Sequence, residues 1–172
     1  MSKFVKKKFR TRDGFTSEDL IQYAIDHLAS AKLLFERNPR CYDSAGYLAH
    51  LGLELMLKSI LLKLNGEFPA EHNLESLYKL ARKIGARKIG KDGVRTLNKI
   101  NQFFNLRYTN PQSPIEIGDD DWKIIEQVFY NLLTNFPVDI LSRLNNSNYY
   151  KKGGRILFFK PKKTIIILNN SF

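Results

Sequence analysis

Three histidines and one cysteine are the side chains whose chemistry would be most informative, and their spacing excludes several kinds of site. With Cys41 alone, the chain forms no internal disulfide and lacks the cysteine and histidine pairs of a usual zinc site. Nothing near His50 or His72 supplies the serine, cysteine or paired carboxylate that a nucleophilic mechanism needs. We therefore predict no catalytic residue, no metal and no cofactor from these side chains, and interpret His50 and His72 as hydrogen-bonded polar residues near a loop.

A line of polar residues crosses the otherwise apolar stretch 43–65. His50, Glu54 and Lys58 recur every four residues, so they share one side of a helix. The order of glutamate before lysine favours an i,i+4 ion pair. A helix that is apolar around most of its circumference belongs in the middle of a bundle. We predict that this helix is central and that Glu54 and Lys58 form a partly buried structural pair, with a direct ligand role as the alternative.

Three aspartates in series, Asp119 to Asp121, resemble a metal site. They stand at the start of a predicted helix, however, where carboxylates favourably oppose the helix macrodipole. We interpret them as a helix start and predict no metal there.

About five helices are predicted from apolar residues spaced three and four apart. The residues that bound each predicted helix are Thr16 to Pro39 for the first, Asp43 or Ser44 to Gly66 for the second, Asn73 to Gly85 for the third, Asp92 to Tyr108 for the fourth and Asp121 to Pro137 for the fifth. Residues 67–72 are predicted to be a loop. The C-terminal runs RILFFK and TIIIL flank a Pro-Lys-Lys connection and suggest a β-hairpin. The expected fold is an all-α, up-and-down bundle of about five helices with a short C-terminal β-hairpin.

The net charge of +11 lies at the two ends of the chain. Residues 1–12 and 145–172 hold twelve basic and no acidic residues, whereas residues 13–144 hold 16 basic and 17 acidic residues. We predict a flexible basic arm at 1–14, a helical bundle at 15–144 and a basic extension at 145–172. Either the ends are solvated tails or they bind nucleic-acid phosphate. The candidate nucleic-acid contacts are Lys6, Lys7, Lys8, Arg10, Lys160, Lys162 and Lys163.

The apolar runs are shorter than the span of about 20 residues that a membrane helix needs. The basic N-terminus also lacks the apolar region and the cleavage site of a signal peptide. These features predict a cytoplasmic protein without a membrane partner.

The stretch 43–81 resembles the HEPN superfamily of small helical bundles. The residues that carry the resemblance are a tyrosine among small residues, then Glu54 and Lys58 in ELMLK, the Asn65-Gly66 turn, and His72 followed by Leu74 and Leu77. Many superfamily members resemble metal-independent ribonucleases and toxins in which a histidine follows an arginine by four to six residues. None of the histidines here follows an arginine at that spacing. The resemblance therefore favours the branch that accompanies nucleotidyltransferases.

That resemblance implies a non-catalytic binding module with a groove for nucleotide or RNA. In that branch, Arg107 would offer a phosphate fork and Tyr108 a stacking face. The implied ligand-binding residues are Arg107, Tyr108, Asn105, Lys58, Glu54 and His72. The alternatives are an ion pair from Arg107 to Glu54 or to an aspartate, and packing of Tyr108 in the core. Expected partners are a second copy of the chain, as a homodimer, or a nucleotidyltransferase-type protein.

Two other functions stay open. One is a toxin-type ribonuclease with substituted active-site residues, and the other is a nucleic-acid-binding protein that acts through its basic ends. We expect binding in place of catalysis, because the arginine-histidine motif is missing.

Overall fold

The computed structural model describes residues 7–14, 16–108, 112 and 114–136. The α-helices in this part are α1 (Ser17–Arg37), α2 (Tyr42–Asn65), α3 (Leu74–Lys83), α4 (Gly90–Asn101) and α5 (Asp119–Leu133). Short strands β1 (Lys8–Arg10) and β2 (Glu67–Pro69) and 3₁₀ helices at Thr11–Asp13, Pro39–Cys41 and Gln102–Arg107 accompany them. These elements lie within one compact unit that ends at Asn135. The predicted helical class is confirmed, whereas the predicted C-terminal hairpin lies outside the described residues.

Helix α2 occupies the centre of this unit, as its apolar circumference predicts. It packs against α1, α3, α4, α5, β2 and the 3₁₀ helix Gln102–Arg107. By length and composition α2 could cross a membrane, but 78% of its apolar window is buried inside the protein. Packing against the neighbouring helices therefore accounts for its apolar surface.

Close contact between α1 and α2 depends on Gly52. A Cβ atom there would lie 2.6 Å from Leu28 Cγ and 3.0 Å from the backbone oxygen of Ala24. Alanine is the better helix former, but relieving this overlap costs more than the gain in helix propensity. We expect Gly52→Ala to lower the free energy of unfolding by about 1 to 2 kcal/mol in urea titration. An unchanged or higher stability would show that the two helices separate without strain.

Local sequence patterns place several helix ends correctly. Thr16 caps α1 and accepts a hydrogen bond from the Asp19 backbone N–H, while the Asp19 carboxylate accepts from Thr16 N–H. Asn73 caps α3 in the same way, by accepting from the Ser76 N–H. Gly66 ends α2 in the left-handed conformation, with φ of 72°. These predictions are confirmed.

Other helix ends differ from the prediction. The N-cap of α2 is Cys41, which makes no side-chain cap, in place of Asp43 or Ser44. Helix α4 begins at Gly90, before the predicted cap Asp92, and ends at Asn101. A 3₁₀ helix then continues to Arg107. The stretch that was predicted as the end of one α-helix is therefore wound more tightly, with three residues per turn.

A two-stranded antiparallel sheet corrects the prediction for both segments that form it. The arm was expected to be flexible and residues 67–72 to be a loop, yet β1 pairs with β2. The rings of Phe9 and Phe68 stack with their centroids 5.4 Å apart. The sheet joins the start of the chain to the segment between α2 and α3. Its register is Lys8 to Pro69, Phe9 to Phe68 and Arg10 to Glu67.

Candidate functional site

The polar line on α2 contains a buried ion pair. Lys58 Nζ donates to Glu54 Oε1 at 2.6 Å, and the two residues are only 7% and 3% exposed. The separation of four residues on one helix brings them together. The predicted structural pair is thus confirmed, and Glu54 has further partners.

His72, in the segment between β2 and α3, binds the same carboxylate. Its Nδ1 lies 3.1 Å from each oxygen of Glu54. An ionised carboxylate only accepts hydrogen bonds, so the proton of this contact is on Nδ1. The His72 side chain is 59% exposed, and no hydrogen bond to Nε2 forms within the part of the chain that is described. Glu54 therefore holds a surface histidine in one orientation.

His50 lies deeper, and its environment differs from the prediction. It is fully buried, and neither ring nitrogen makes a hydrogen bond among the described residues. The Glu54 carboxylate, the Asn101 side chain and the His72 backbone face the ring. Nδ1 lies 3.9 Å from Glu54 Oε2. Burial lowers the pKa of His50 to about 4, against the opposing effect of Glu54. His50 is therefore neutral at neutral pH, and it is buried more deeply than the interpretation of a polar residue near a loop implied.

Phe104 connects α2, the His72 segment and the 3₁₀ helix. The His72 ring stacks on it at a centroid distance of 5.4 Å and an interplanar angle of 21°. The His50 ring meets it at 5.4 Å with a tilt of 55°. Phe104 is not among the candidate residues named from the sequence. The signal that we missed is its spacing of three residues from Arg107, because side chains three apart in a 3₁₀ helix are aligned.

Arg107 stacks on aromatic rings and makes no ion pair with any described carboxylate. Its guanidinium carbon lies 4.7 Å from the centroid of Phe104 and 4.8 Å from that of Tyr108. Tyr108 is 73% exposed. The two alternatives considered from the sequence, an ion pair for Arg107 and core packing for Tyr108, are therefore absent among the described contacts. The guanidinium N–H groups remain available to a ligand.

Glycine at position 46 lets the 3₁₀ helix approach α2. A Cβ atom on Gly46 would lie 2.7 Å from Leu106 Cδ1 and would also overlap the side chain of Ile117. Asn105 is exposed on the same 3₁₀ helix, and its backbone oxygen accepts from the Tyr108 N–H at 3.1 Å. The structure thus groups Glu54, Lys58, His72, Phe104 and Arg107, with Tyr108 at the surface.

Comparison with known proteins identifies the family of this arrangement. The family model described as the HEPN domain matches residues 17–121. The chain belongs to the HEPN family. The match extends from α1 to the first turn of α5, so it includes every residue of the group above. Comparisons with curated proteins and with solved structures find no match.

The basic arm of this HEPN chain lies before the matched residues and is partly neutralised. Glu67 binds Lys8, and its Oε2 also lies 3.0 Å from the Arg10 side chain. Hydrogen bonds from these two cations lower the pKa of the Glu67 carboxyl group. Lys7 is exposed, with its Nζ 4.9 Å from the Phe9 ring centroid. The remaining candidates, Lys6, Lys160, Lys162 and Lys163, lie outside the described residues.

A small hollow lies beside the sheet, and none of the residues grouped around Phe104 lines it. It has a volume of about 110 Å³, and Leu61, Phe68, Leu80 and Lys8 are among the residues that line it. Among the candidate ligand-binding residues and the candidate nucleic-acid contacts, only Lys8 contributes to this hollow.

Asp120 and Asp121 lie in the first turn of α5. The Asp121 carboxylate accepts from the Gly118 N–H at 2.9 Å and also binds Lys99. Asp120 pairs with Lys123 at 2.7 Å. The interpretation of these residues as a helix start is confirmed for Asp121.

Proposed function

We propose that the chain is a non-catalytic HEPN module that binds nucleotide or RNA through Arg107 and Tyr108. It would belong to the branch that accompanies nucleotidyltransferases, and would pair with itself or with such a protein. Sedimentation at micromolar concentration tests the self-association, and a monomeric mass would contradict it.

The observation that carries the proposal is the state of Arg107. Its guanidinium carbon lies over the rings of both Phe104 and Tyr108, and no described carboxylate neutralises it. An arginine without a carboxylate partner presents a planar fork to phosphate oxygens. Held by the rings of Phe104 and Tyr108, it also loses less side-chain freedom when a ligand binds.

Tyr108 supplies the other half of the expected contact. A large aromatic side chain that is 73% exposed offers a free face to a base. Stacking on such a face tolerates any base, whereas the neighbouring guanidinium selects for phosphate. A nucleotide carries both groups in one molecule, and a strand of RNA repeats them.

A second candidate function is a metal-independent ribonuclease, and the contacts of His72 favour it. The motif that is missing from the sequence would supply an arginine and a histidine, and here His72 and Arg107 both pack on Phe104. The buried Glu54 orients His72 through Nδ1, which leaves Nε2 for proton transfer. This hypothesis requires RNA cleavage without added metal.

We expect Arg107→Ala and Tyr108→Ala each to weaken RNA binding about tenfold or more, because a stacked base contributes about 1 to 3 kcal/mol and a charged hydrogen bond a similar amount. Fluorescence anisotropy with labelled single-stranded RNA measures the affinity. Tyr108→Phe keeps the ring and should bind like the wild type.

The matched control is Tyr23→Ala, which removes a tyrosine that is 57% exposed on α1. Wild-type affinity in both Arg107→Ala and Tyr108→Ala would overturn the binding proposal. Gel analysis of the same mixtures in chelator scores cleavage. Cleavage that is lost in both His72→Ala and Arg107→Ala would support the ribonuclease instead.

A further inference from the structure

The connection between α3 and α4 carries a cluster of cations that the proposed site does not use. We name as the cationic loop the four exposed residues Lys83, Arg87, Lys88 and Lys91. Within the described part of the chain, none of them forms an ion pair. Most other described lysines do, such as Lys32 with Glu36, Lys79 with Glu75 and Lys123 with Asp120. The adjacent acid, Asp92, is 91% exposed and lies 3.8 Å from Arg95.

Contacts to the body of the domain hold this loop in place. The Ile89 N–H donates to the Tyr78 hydroxyl at 3.1 Å, and the Ala86 N–H donates to the Ala81 carbonyl at 3.0 Å. Ala86 and Ile89 are buried, with exposures of 2% and 6%. Apolar anchors therefore alternate with the exposed cations and fix their positions, which reduces the entropy cost of binding an anion.

The cationic loop and the stacked pair of His72 and Phe104 lie at opposite ends of α3. His72, which stacks on Phe104, comes just before α3, and the loop begins at Lys83, the last residue of α3. Ten helical residues span about 15 Å at about 1.5 Å per residue. A stacked nucleic-acid strand advances about 3.4 Å per phosphate, so about four to five nucleotides cover this distance.

We propose that the ligand is a single strand of RNA about five or more nucleotides long, whose phosphates bind the cationic loop while a base stacks at Tyr108. This inference rests on the proposed function and names its substrate class. A mononucleotide or dinucleotide at Arg107 is too short to reach the loop. Only the longer strand gains from the loop, through release of counterions from its phosphates.

The test compares two variants with equal charge loss. One carries Lys83→Gln, Arg87→Gln, Lys88→Gln and Lys91→Gln. The matched control carries Arg12→Gln, Arg37→Gln, Arg40→Gln and Lys63→Gln, four exposed residues that come from four different elements and form no ion pair with described residues. Circular dichroism confirms folding, and anisotropy at several salt concentrations measures affinity for a dinucleotide and for RNA of about twelve nucleotides.

For the longer RNA, we expect the loop variant to reduce the slope of log K against log salt by up to about 3, at about 0.7 per phosphate of a single strand. Between about 50 and 200 mM salt, the wild type should then lose up to roughly fifty-fold more affinity than the loop variant. Dinucleotide affinity should not change, and the control variant should keep the wild-type slope.

Equal slopes in the loop and control variants would overturn the inference. If Arg107→Ala nevertheless weakens dinucleotide binding in that case, the proposed function stands without the cationic loop. A wild-type protein that binds neither RNA would overturn both.

Discussion

Glu54→Gln should lower the free energy of unfolding by about 3 kcal/mol, because it leaves the Lys58 cation buried without a compensating charge. Lys58 is 7% exposed, and its Nζ lies 2.6 Å from Glu54 Oε1. Water cannot replace the lost carboxylate at such a depth. The substitution also weakens the contact to His72, whose Nδ1 meets both carboxylate oxygens. Urea titration of both proteins at pH 7 measures the difference.

A matched pair of the same spacing lies on the surface and provides the control. Glu75 and Lys79 are also separated by four residues, 2.5 Å apart, with side chains 34% and 67% exposed. Glu75→Gln should change stability by about 0.5 kcal/mol or less, because water screens an exposed pair. Adding Lys58→Met to Glu54→Gln removes the buried cation and should restore most of the loss. Equal effects of the two glutamate substitutions would refute the role of burial.

Acidification should destabilise the fold through His50. Its pKa is lowered from 6.5 to about 4 by burial, so the unfolded chain takes up a proton more readily than the folded one. The stability that comes from the neutral ring is complete above pH 6.5 and is lost as pH falls towards 4. The loss amounts to about 3 kcal/mol over this range, at about 1.4 kcal/mol per pKa unit.

His50→Phe isolates this contribution, since phenylalanine keeps a ring against Phe104 and does not titrate. We expect the difference in unfolding free energy between variant and wild type to shift by about 3 kcal/mol in the variant's favour from pH 7 to pH 4. Urea titrations at a series of pH values measure it. His27→Gln is the control, because it replaces another histidine, one that is only half-buried. Burial lowers the pKa of His27, and Asp26 opposes this shift. Parallel pH profiles for wild type and His50→Phe would show that His50 does not cause the loss of stability at low pH.

Features that depend on neighbouring residues could be predicted from the sequence. Thr16 with Asp19 and Asn73 with Ser76 are caps formed within three residues, and Glu54 with Lys58 is an ion pair across one helical turn. The central position of α2 followed from its composition alone. In each case the interaction is encoded within a few positions of the chain.

Features that depend on distant segments could not be predicted. The arm forms a strand because its partner, 57 to 61 residues away in the register, offers an edge and a carboxylate. The ring nitrogens of His50 make no hydrogen bond among the described residues because of what α2 packs against. Arg107 meets Phe104 because the chain tightens into a 3₁₀ helix after Asn101. The spacing of apolar residues predicts which side of a segment is buried, but it does not predict which groups that side contacts.

The pairing of β1 with β2 has a practical consequence for how the chain is shortened. Ala70 N–H donates to the Lys7 carbonyl at 2.8 Å, two residues before His72. Deleting the first ten residues to remove positive charge would also remove β1, the strand that pairs with β2 just before His72. Lys3, Lys6 and Lys7 lie before β1. Replacing these three lysines with uncharged residues removes positive charge from the arm and keeps the strand.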